Sequence, residues 1–250
     1  MMYMLSRSQI KHIQSLQRKK YRTLHQQYFV EGPKIVEEAI IENASQAEIF
    51  AVESWVLENE KLIQEYAPAM TIISEKDLGR ISQLKTANQV LALLPTKTNV
   101  PNSKVSGLNI FLENIQDPGN LGTIIRCADW FGANAVFCSP NCADLYNPKV
   151  LQACMGSNFH IPVYYVEADD LIGKSDIPTY AATISGTNLY EVKAAKDALI
   201  LIGNESKGLS KEILSLTKHE ITIPKKGRAE SLNAANASAV ILSYFANKIG

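Results

Sequence analysis

Three stretches of the chain gather amide, guanidinium, carboxylate and hydroxyl side chains at turns between apolar runs. In the first, FLENIQDPGNLGTIIRCADWFGA, residues 111–133, Asp117-Pro118-Gly119 breaks the chain after an apolar strand, so a helix can begin near Asn120. Leu121, Ile124, Ile125, Ala128 and Phe131 then recur at helical spacing and would bury one face. Arg126 falls off that stripe. By local pattern, Asn120 is either a helix cap or a site residue. Arg126 is likewise either an ordinary surface cation or a group held out for chemistry.

The second stretch is LILIGNESKGLS, residues 199–210: a buried strand, a Gly-bounded turn carrying Asn204 and Glu205, and a helix starting near Ser210. Its Gly203-x-x-x-x-Gly208 resembles half of a phosphate-binding loop. Leu209 and Ser210 stand where Lys and Ser or Thr would be needed, which argues against a nucleoside triphosphate. No G-x-G-x-x-G occurs anywhere, so a dinucleotide site also lacks support. Glu205 could equally bond to nearby turn amides. The third stretch is ITIPKKGRAESLNAANASAVILSYF, residues 221–245. A strand ends at Pro224, a Gly-containing loop follows, and Ser231 and Asn233 begin a helix whose early turns are rich in Ala and Ser. Ser231 could be its cap, and the small residues permit close approach of another backbone.

Metal chemistry finds no donors. Cys127, Cys138, Cys142 and Cys154 form no C-x-x-C pair, and His12, His25, His160 and His219 are scattered without ligand spacing. Three of the cysteines sit in apolar stretches and read as small core residues of a reduced intracellular protein. No run of about 18 apolar residues appears, and the start lacks the apolar core of a signal peptide. The expectation is a cytoplasmic protein without a membrane span.

The 250 residues allow one large domain or two modest ones, and 46% hydrophobic with 20% charged is ordinary for a globular core. A net charge of zero hides an asymmetry. Met1–Val30 carries Arg7, Lys11, Arg18, Lys19, Lys20 and Arg22 with no acidic residue. A basic patch can supply phosphate affinity, although a solvated helix face reads the same way.

Residues 1–94 hold a basic helical start, a helix over Lys34–Ile41, and apolar strands at Glu48–Val52, Met70–Ile73 and Gln89–Leu94. Residues 95–107, PTKTNVPNSKVSG, are poor in apolar side chains and read as a linker. Over residues 108–250, strands are readable at Asn109–Glu113, Ala135–Cys138, Pro162–Val166, Thr179–Ile184, Ala198–Ile202 and Ile221–Ile223. Helices at Leu121–Phe131, Leu209–Leu216 and Leu232–Ala246 separate them. That alternation predicts an α/β domain around a mainly parallel sheet, with helices on both faces.

Taken together, Asn120 with Arg126 six residues later, G-N-E-S-x-G-L-S, and I-P-x-x-G-x-x-x-S-L-N resemble, in order, the three motifs of SpoU/TrmH-type RNA methyltransferases. RKKYR followed by F-V-E-G-P-K resembles the smaller α/β substrate-binding domain that often precedes this module. NPKVLQACMGSNFHIPV matches a family segment but carries Cys154, Met155, Gly156 and Ser157 where Ser-x-Gly-Ala is more usual.

The resemblance implies a trefoil-knotted C-terminal domain that binds S-adenosylmethionine and dimerises. Backbone groups near Thr183, Gly203, Ile223 and Leu232 would line the cofactor pocket, and no metal is required. The reaction would methylate a ribose 2′-hydroxyl. Arg126, as the family's candidate for activating the hydroxyl, has too high a pKa to act easily as a free base. It would bind the neighbouring phosphate and orient the hydroxyl. Asn120 would hold the ribose or position Arg126, Glu205 would orient Arg126 or the loops, and Ser231 and Asn233 would complete the site. Arg18, Lys19, Lys20 and Arg22 would grip RNA phosphates. The N-terminal domain favours ribosomal (23S) RNA as substrate. A tRNA ribose methyltransferase and a catalytically silent RNA-binding or ribosome-assembly protein are the alternatives, and the intact site residues argue against the silent one.

Overall fold

The computed structural model describes residues 3–97, 105–173 and 177–249. Residues 98–104 of the expected linker lie outside that set. The elements run α1 (Arg7–Ser15), α2 (Lys19–His25), β1 (Gln27–Glu31), α3 (Pro33–Asn43), β2 (Glu48–Ala51), α4 (Glu53–Glu58), α5 (Glu60–Tyr66), β3 (Ala69–Ile72), α6 (Glu75–Ile81) and β4 (Val90–Pro95). Then follow β5 (Leu108–Leu112), α7 (Pro118–Trp130), β6 (Ala135–Cys138), α8 (Pro148–Cys154), α9 (Ser157–His160), β7 (Val163–Tyr165), α10 (Ala168–Leu171), β8 (Thr179–Asn188), β9 (Ala198–Ile202), α11 (Lys211–Leu216), β10 (His219–Thr222) and α12 (Ala234–Ile249). Among the described residues, no helix is long and apolar enough to cross a membrane.

The chain divides into two compact units, Met1–Thr98 with Tyr146–Phe159, and Asn99–Leu145 with His160–Gly250. In the first, a sheet of order β1-β4-β2-β3 is antiparallel except where β2 meets β3. Its core gathers Phe29, Val36, Ile40, Ile49, Phe50 and Trp55. Residues 146–159, expected with the second domain, pack here. The Tyr146 ring lies 4.4 Å from that of Tyr28, and Leu151 is buried in this core. Burial of these apolar side chains accounts for the placement. Cys154 and Ser157 are buried in the same segment, while Met155 and Gly156 turn the chain at φ 53° and 97° after α8.

The second unit is built on a six-stranded sheet of order β10-β8-β9-β5-β6-β7, parallel at every pairing. β5 and β9 are buried along their whole length, as strands covered on both faces must be. The chain steps outward from β5 through β6 to β7, then returns to place β9 on the other side of β5. Strand order therefore reverses between β5 and β9, and at such a reversal α/β sheets bind ligands in the crevice outside the carboxyl ends of their strands.

Two local details set up that crevice. Asp117-Pro118-Gly119 starts α7 rather than preceding it: Asp117 accepts from the Asn120 N–H at 2.8 Å, and Pro118 sits where a missing N–H costs nothing. At the sheet edge, Ala181 pairs with Glu220 but Thr187 pairs with the next residue, Ile221. Residues 182–186 of β8 therefore have no partners on β10 and stand out as a bulge.

Candidate functional site

Asn120, Glu205 and Asn233, one from each motif, meet in a single hydrogen-bonded chain. The Asn120 amide Nδ2 donates to Glu205 Oε1 at 2.6 Å, and Asn233 Nδ2 donates to Asn120 Oδ1 at 2.9 Å. Asn233 Oδ1 in turn accepts from the Ala235 N–H at 2.9 Å, capping α12. An ionised carboxylate only accepts, so Glu205 dictates which end of the Asn120 amide faces it. That choice fixes Asn233, and Asn233 fixes the start of α12.

The simpler local roles fall elsewhere. Asp117 caps α7, which leaves the Asn120 side chain free to cross to the other motifs. Asn233, not Ser231, caps α12, and Ser231 is exposed in the preceding loop. The turn amides that Glu205 might have satisfied, those of Ser206 and Lys207, are taken by Asn204 Oδ1 at 3.0 and 3.2 Å. Glu205 is thereby released for Asn120.

Arg126 is exposed, off the buried stripe of Leu121, Gly122, Ile124, Ile125 and Ala128. It has no hydrogen bond or ion pair among the described residues, so of the two roles the resemblance offered for each of Asn120 and Glu205, positioning Arg126 is not the one seen in the structure. Its guanidinium is open to an anion from outside the chain.

The residues expected near a cofactor lie on the neighbouring loops. Thr183 sits in the β8 bulge, and its Oγ1 is buried with no hydrogen-bond partner among the described residues. A buried hydroxyl without a partner is costly, and a ligand's polar group would remove that cost. Ile184 beside it is 88% exposed. Gly203 ends β9 against its own loop: a Cβ there would stand 2.2 Å from the Gly208 carbonyl carbon. Gly186 is similarly pressed onto the backbone of Glu220 and Ile221 at 2.5 Å. Ile223 follows β10, and Leu232, 49% exposed, immediately precedes Asn233. Gly203 and Gly186 thus have no room for a side chain, while Ile184 and Leu232 leave apolar surface open on these loops.

In the other unit, Arg18, Lys19 and Lys20 are exposed at the start of α2. Arg22 is not. It is 4% exposed and its Nη1 donates to the carbonyls of Leu16 and Gln17, at 2.8 and 2.9 Å. The expectation that Arg22 contacts RNA is corrected: its planar fork is used inside, on carbonyls that the end of α1 leaves unpaired.

Sequence reasoning also missed residues. Glu113 is 8% exposed and accepts from the Ser210 N–H at 2.7 Å, and Asn204 Nδ2 donates to the Asn114 carbonyl at 3.0 Å. These bonds tie the loop after β5 to the loop after β9. Lys225, Lys226 and Arg228 form an exposed basic run in the loop before Ser231. Its signal, K-K-x-R between a strand and a helix, was readable in the sequence. Cys138, Cys142 and Cys154 are buried free thiols, as expected of core residues, and Cys127 is half-buried.

The model of the SpoU rRNA methylase family matches residues 107–243, more than half of the chain. The chain belongs to that family. Residues 7–92 match an MRM3-like substrate-binding domain. The Bacillus subtilis (strain 168) protein named 23S rRNA (guanosine(2553)-2′-O)-methyltransferase RlmP is 30% identical over 246 residues, covering 94% of each chain. Among solved structures, one from Porphyromonas gingivalis assigned to the TrmH family aligns at TM-score 0.84 and 32% identity, over 97% of this chain and 98% of that one. An AdoMet-bound rRNA methyltransferase from Sinorhizobium meliloti aligns at TM-score 0.85 and 25% identity, over 98% and 97%. Within this SpoU chain the three motifs are thus joined through Asn120, and the parallel α/β sheet of the family is present.

Proposed function

We propose that this SpoU chain is an S-adenosylmethionine-dependent methyltransferase acting on a ribose 2′-hydroxyl of ribosomal RNA, in 23S RNA. The observation that carries the reading is the Glu205–Asn120–Asn233 chain, which joins the three family motifs beside the crevice between β5 and β9. The Thr183 hydroxyl, without a partner among the described residues, and the exposed apolar side chains of Ile184 and Leu232 support a cofactor bound by the loops after β8, β9 and β10. Thr183, Gly203, Ile223 and Leu232 would hold it, and the knot expected of the family would be formed by the second and third motifs.

S-adenosylmethionine supplies a methyl group on a sulfonium, an electrophile that needs no metal. The chain's own work is then positioning. Arg126 binds the phosphate beside the target ribose and polarises its hydroxyl, because a guanidinium offers N–H donors and no acceptor with which to serve as a base. Asn120 and Asn233 hold the ribose edge, Glu205 fixes their polarity, and Ser231 completes the wall. Arg18, Lys19 and Lys20 hold RNA phosphates. A homodimer through the second unit, working in the cytoplasm where the ribosomal RNA is, completes the reading.

Calorimetry with S-adenosylmethionine in EDTA, followed by transfer of labelled methyl to 23S RNA transcripts, tests it. Binding without metal and label on ribose are expected. Absence of binding heat from the folded protein would leave a silent RNA-binding protein. Label appearing only on tRNA would move the substrate.

A further inference from the structure

The basic start of the chain carries aromatic rings that phosphate binding alone does not require. Tyr21 and His25 lie one turn apart on α2, and their rings are parallel to within 13° with centroids 6.3 Å apart. His12, from α1, makes a T-shaped contact with the His25 ring at 4.7 Å and 76°. We infer that this ring cluster stacks on an unpaired base of the RNA substrate, so that the first unit takes a single-stranded segment. The inference rests on the proposed RNA methyltransferase reading and adds to it the form of RNA that this unit recognises.

The rings are held in place from behind. His12 Nε2 lies 2.8 Å from Gln27 Oε1 at the start of β1, and an amide oxygen only accepts, so Nε2 carries the proton. The buried Arg22 donates to the carbonyls of Leu16 and Gln17 and so fixes the corner between α1 and α2. That corner sets His25 against His12. Tyr21 is half-buried, whereas His25 is exposed and its ring nitrogens bond to no described residue. The outer ring of the cluster is therefore open to a partner.

The surroundings choose that partner. Arg18, Lys19 and Lys20 are exposed immediately before Tyr21, and residues 1–30 contain no acidic side chain. The field there attracts a polyanion. An acidic peptide would satisfy the cations and leave the rings unused. Nucleic acid offers both phosphates and flat π-faces, but in a duplex each base is covered by its neighbours. Only a loop, bulge or unpaired strand presents a base that an aromatic side chain can cover. Every base has such a face, so the rings read strandedness and not sequence.

Fluorescence anisotropy of the full chain with labelled RNA tests the inference. The probes are an unstructured strand, an abasic strand of the same length and charge, and a duplex of the same sequence. The wild type should bind the intact strand about tenfold more tightly than the abasic one. His25→Ala should erase that difference. It should leave abasic binding, duplex binding and the salt slope unchanged, because no phosphate contact is lost. His25→Phe keeps a ring without its nitrogens and should retain the difference, which a hydrogen-bonding role for the imidazole would not allow. Arg18→Ala/Lys19→Ala/Lys20→Ala should weaken all the probes. Equal binding of intact and abasic strands by the wild type, or a preference that survives in His25→Ala or is lost in His25→Phe, overturns the inference. Normal methyl transfer without a base preference removes the ring surface alone. Absence of S-adenosylmethionine binding by the folded wild type removes the methyltransferase reading beneath it.

Discussion

Asn120 and Glu205 stand 85 positions apart in the chain, yet Asn120 Nδ2 donates to Glu205 Oε1 at 2.6 Å. The bond has a direction that propagates. Because Glu205 accepts, Asn120 must present its oxygen to Asn233, and Asn233 must present its own oxygen to the first N–H groups of α12. One carboxylate therefore orients two amides and a helix terminus.

Asn120→Asp should damage this arrangement more than Asn120→Ala does. Alanine deletes one partly buried hydrogen bond, to Glu205, and one exposed one, from Asn233, a loss of about 1–3 kcal/mol. Aspartate is nearly isosteric but sets a second carboxylate at hydrogen-bond distance from Glu205. Urea denaturation at neutral pH should rank the wild type above Asn120→Ala and Asn120→Ala above Asn120→Asp. The reverse order of the two variants would mean that the polarity of the chain does not matter.

Arg126→Ala should leave the melting temperature and the affinity for S-adenosylmethionine almost unchanged, because the side chain is exposed and bonds to nothing described. Methyl transfer in a single turnover should fall by about a hundredfold or more, the scale of a lost positioning group. Gly203→Val should do the opposite. Its Cβ would strike the backbone of Gly208 and Leu209, so the loop must move and cofactor affinity falls with it. Near-normal transfer by Arg126→Ala would return that residue to the helix surface.

The sequence carried the strands other than β1 (Gln27–Glu31) and most of the motif helices, because fully buried strands are short apolar runs and amphipathic helices announce their period. Ala135–Cys138 and Ala198–Ile202 were read to the residue. Pairing across distance was not legible. Nothing local distinguishes an Asn120 that caps a helix from one that spans to Glu205, since the choice depends on Asp117 and Asn204 having already satisfied the competing amides. Arg22 was misread for the same reason. Four basic residues within five positions look alike until a helix end requires one of them. The packing of residues 146–159 with the first unit was equally hidden, because it depends on Tyr28 more than a hundred residues away.

That inward turn divides the basic cluster into two kinds of residue. Arg18→Ala/Lys19→Ala/Lys20→Ala should weaken binding to ribosomal RNA fragments and reduce its salt dependence, because fewer counterions are released. Its thermal stability should match the wild type. Arg22→Ala should act the other way, lowering stability by about 1–3 kcal/mol through the unpaired carbonyls of Leu16 and Gln17. Its salt slope should stay unchanged at temperatures where it is folded. A reduced slope in folded Arg22→Ala would put that side chain back on the RNA.

Glu31 gives a prediction whose sign can be worked out. It ends β1, is 6% exposed, and receives the Ser82 hydroxyl at 2.6 Å and the Gln83 N–H at 3.0 and 3.2 Å. Burial pushes its carboxyl above the ordinary 4.5, and the bonds from Ser82, Gln83 and Leu84 only partly oppose that. Between the unfolded and folded values the folded state holds a proton that the unfolded chain has released. Stability from Glu31 is therefore complete below about pH 4.5 and declines as pH rises through the folded value. Glu31→Gln cannot ionise and lacks this decline. In paired melting curves from pH 4 to pH 8, the advantage of the wild type over the variant should be greatest at the acid end and shrink upward. An advantage that grows with pH would show that the three donors outweigh burial. Glu31 would then be an anchored carboxylate, holding the loop at residues 82–84 against β1 most firmly when charged.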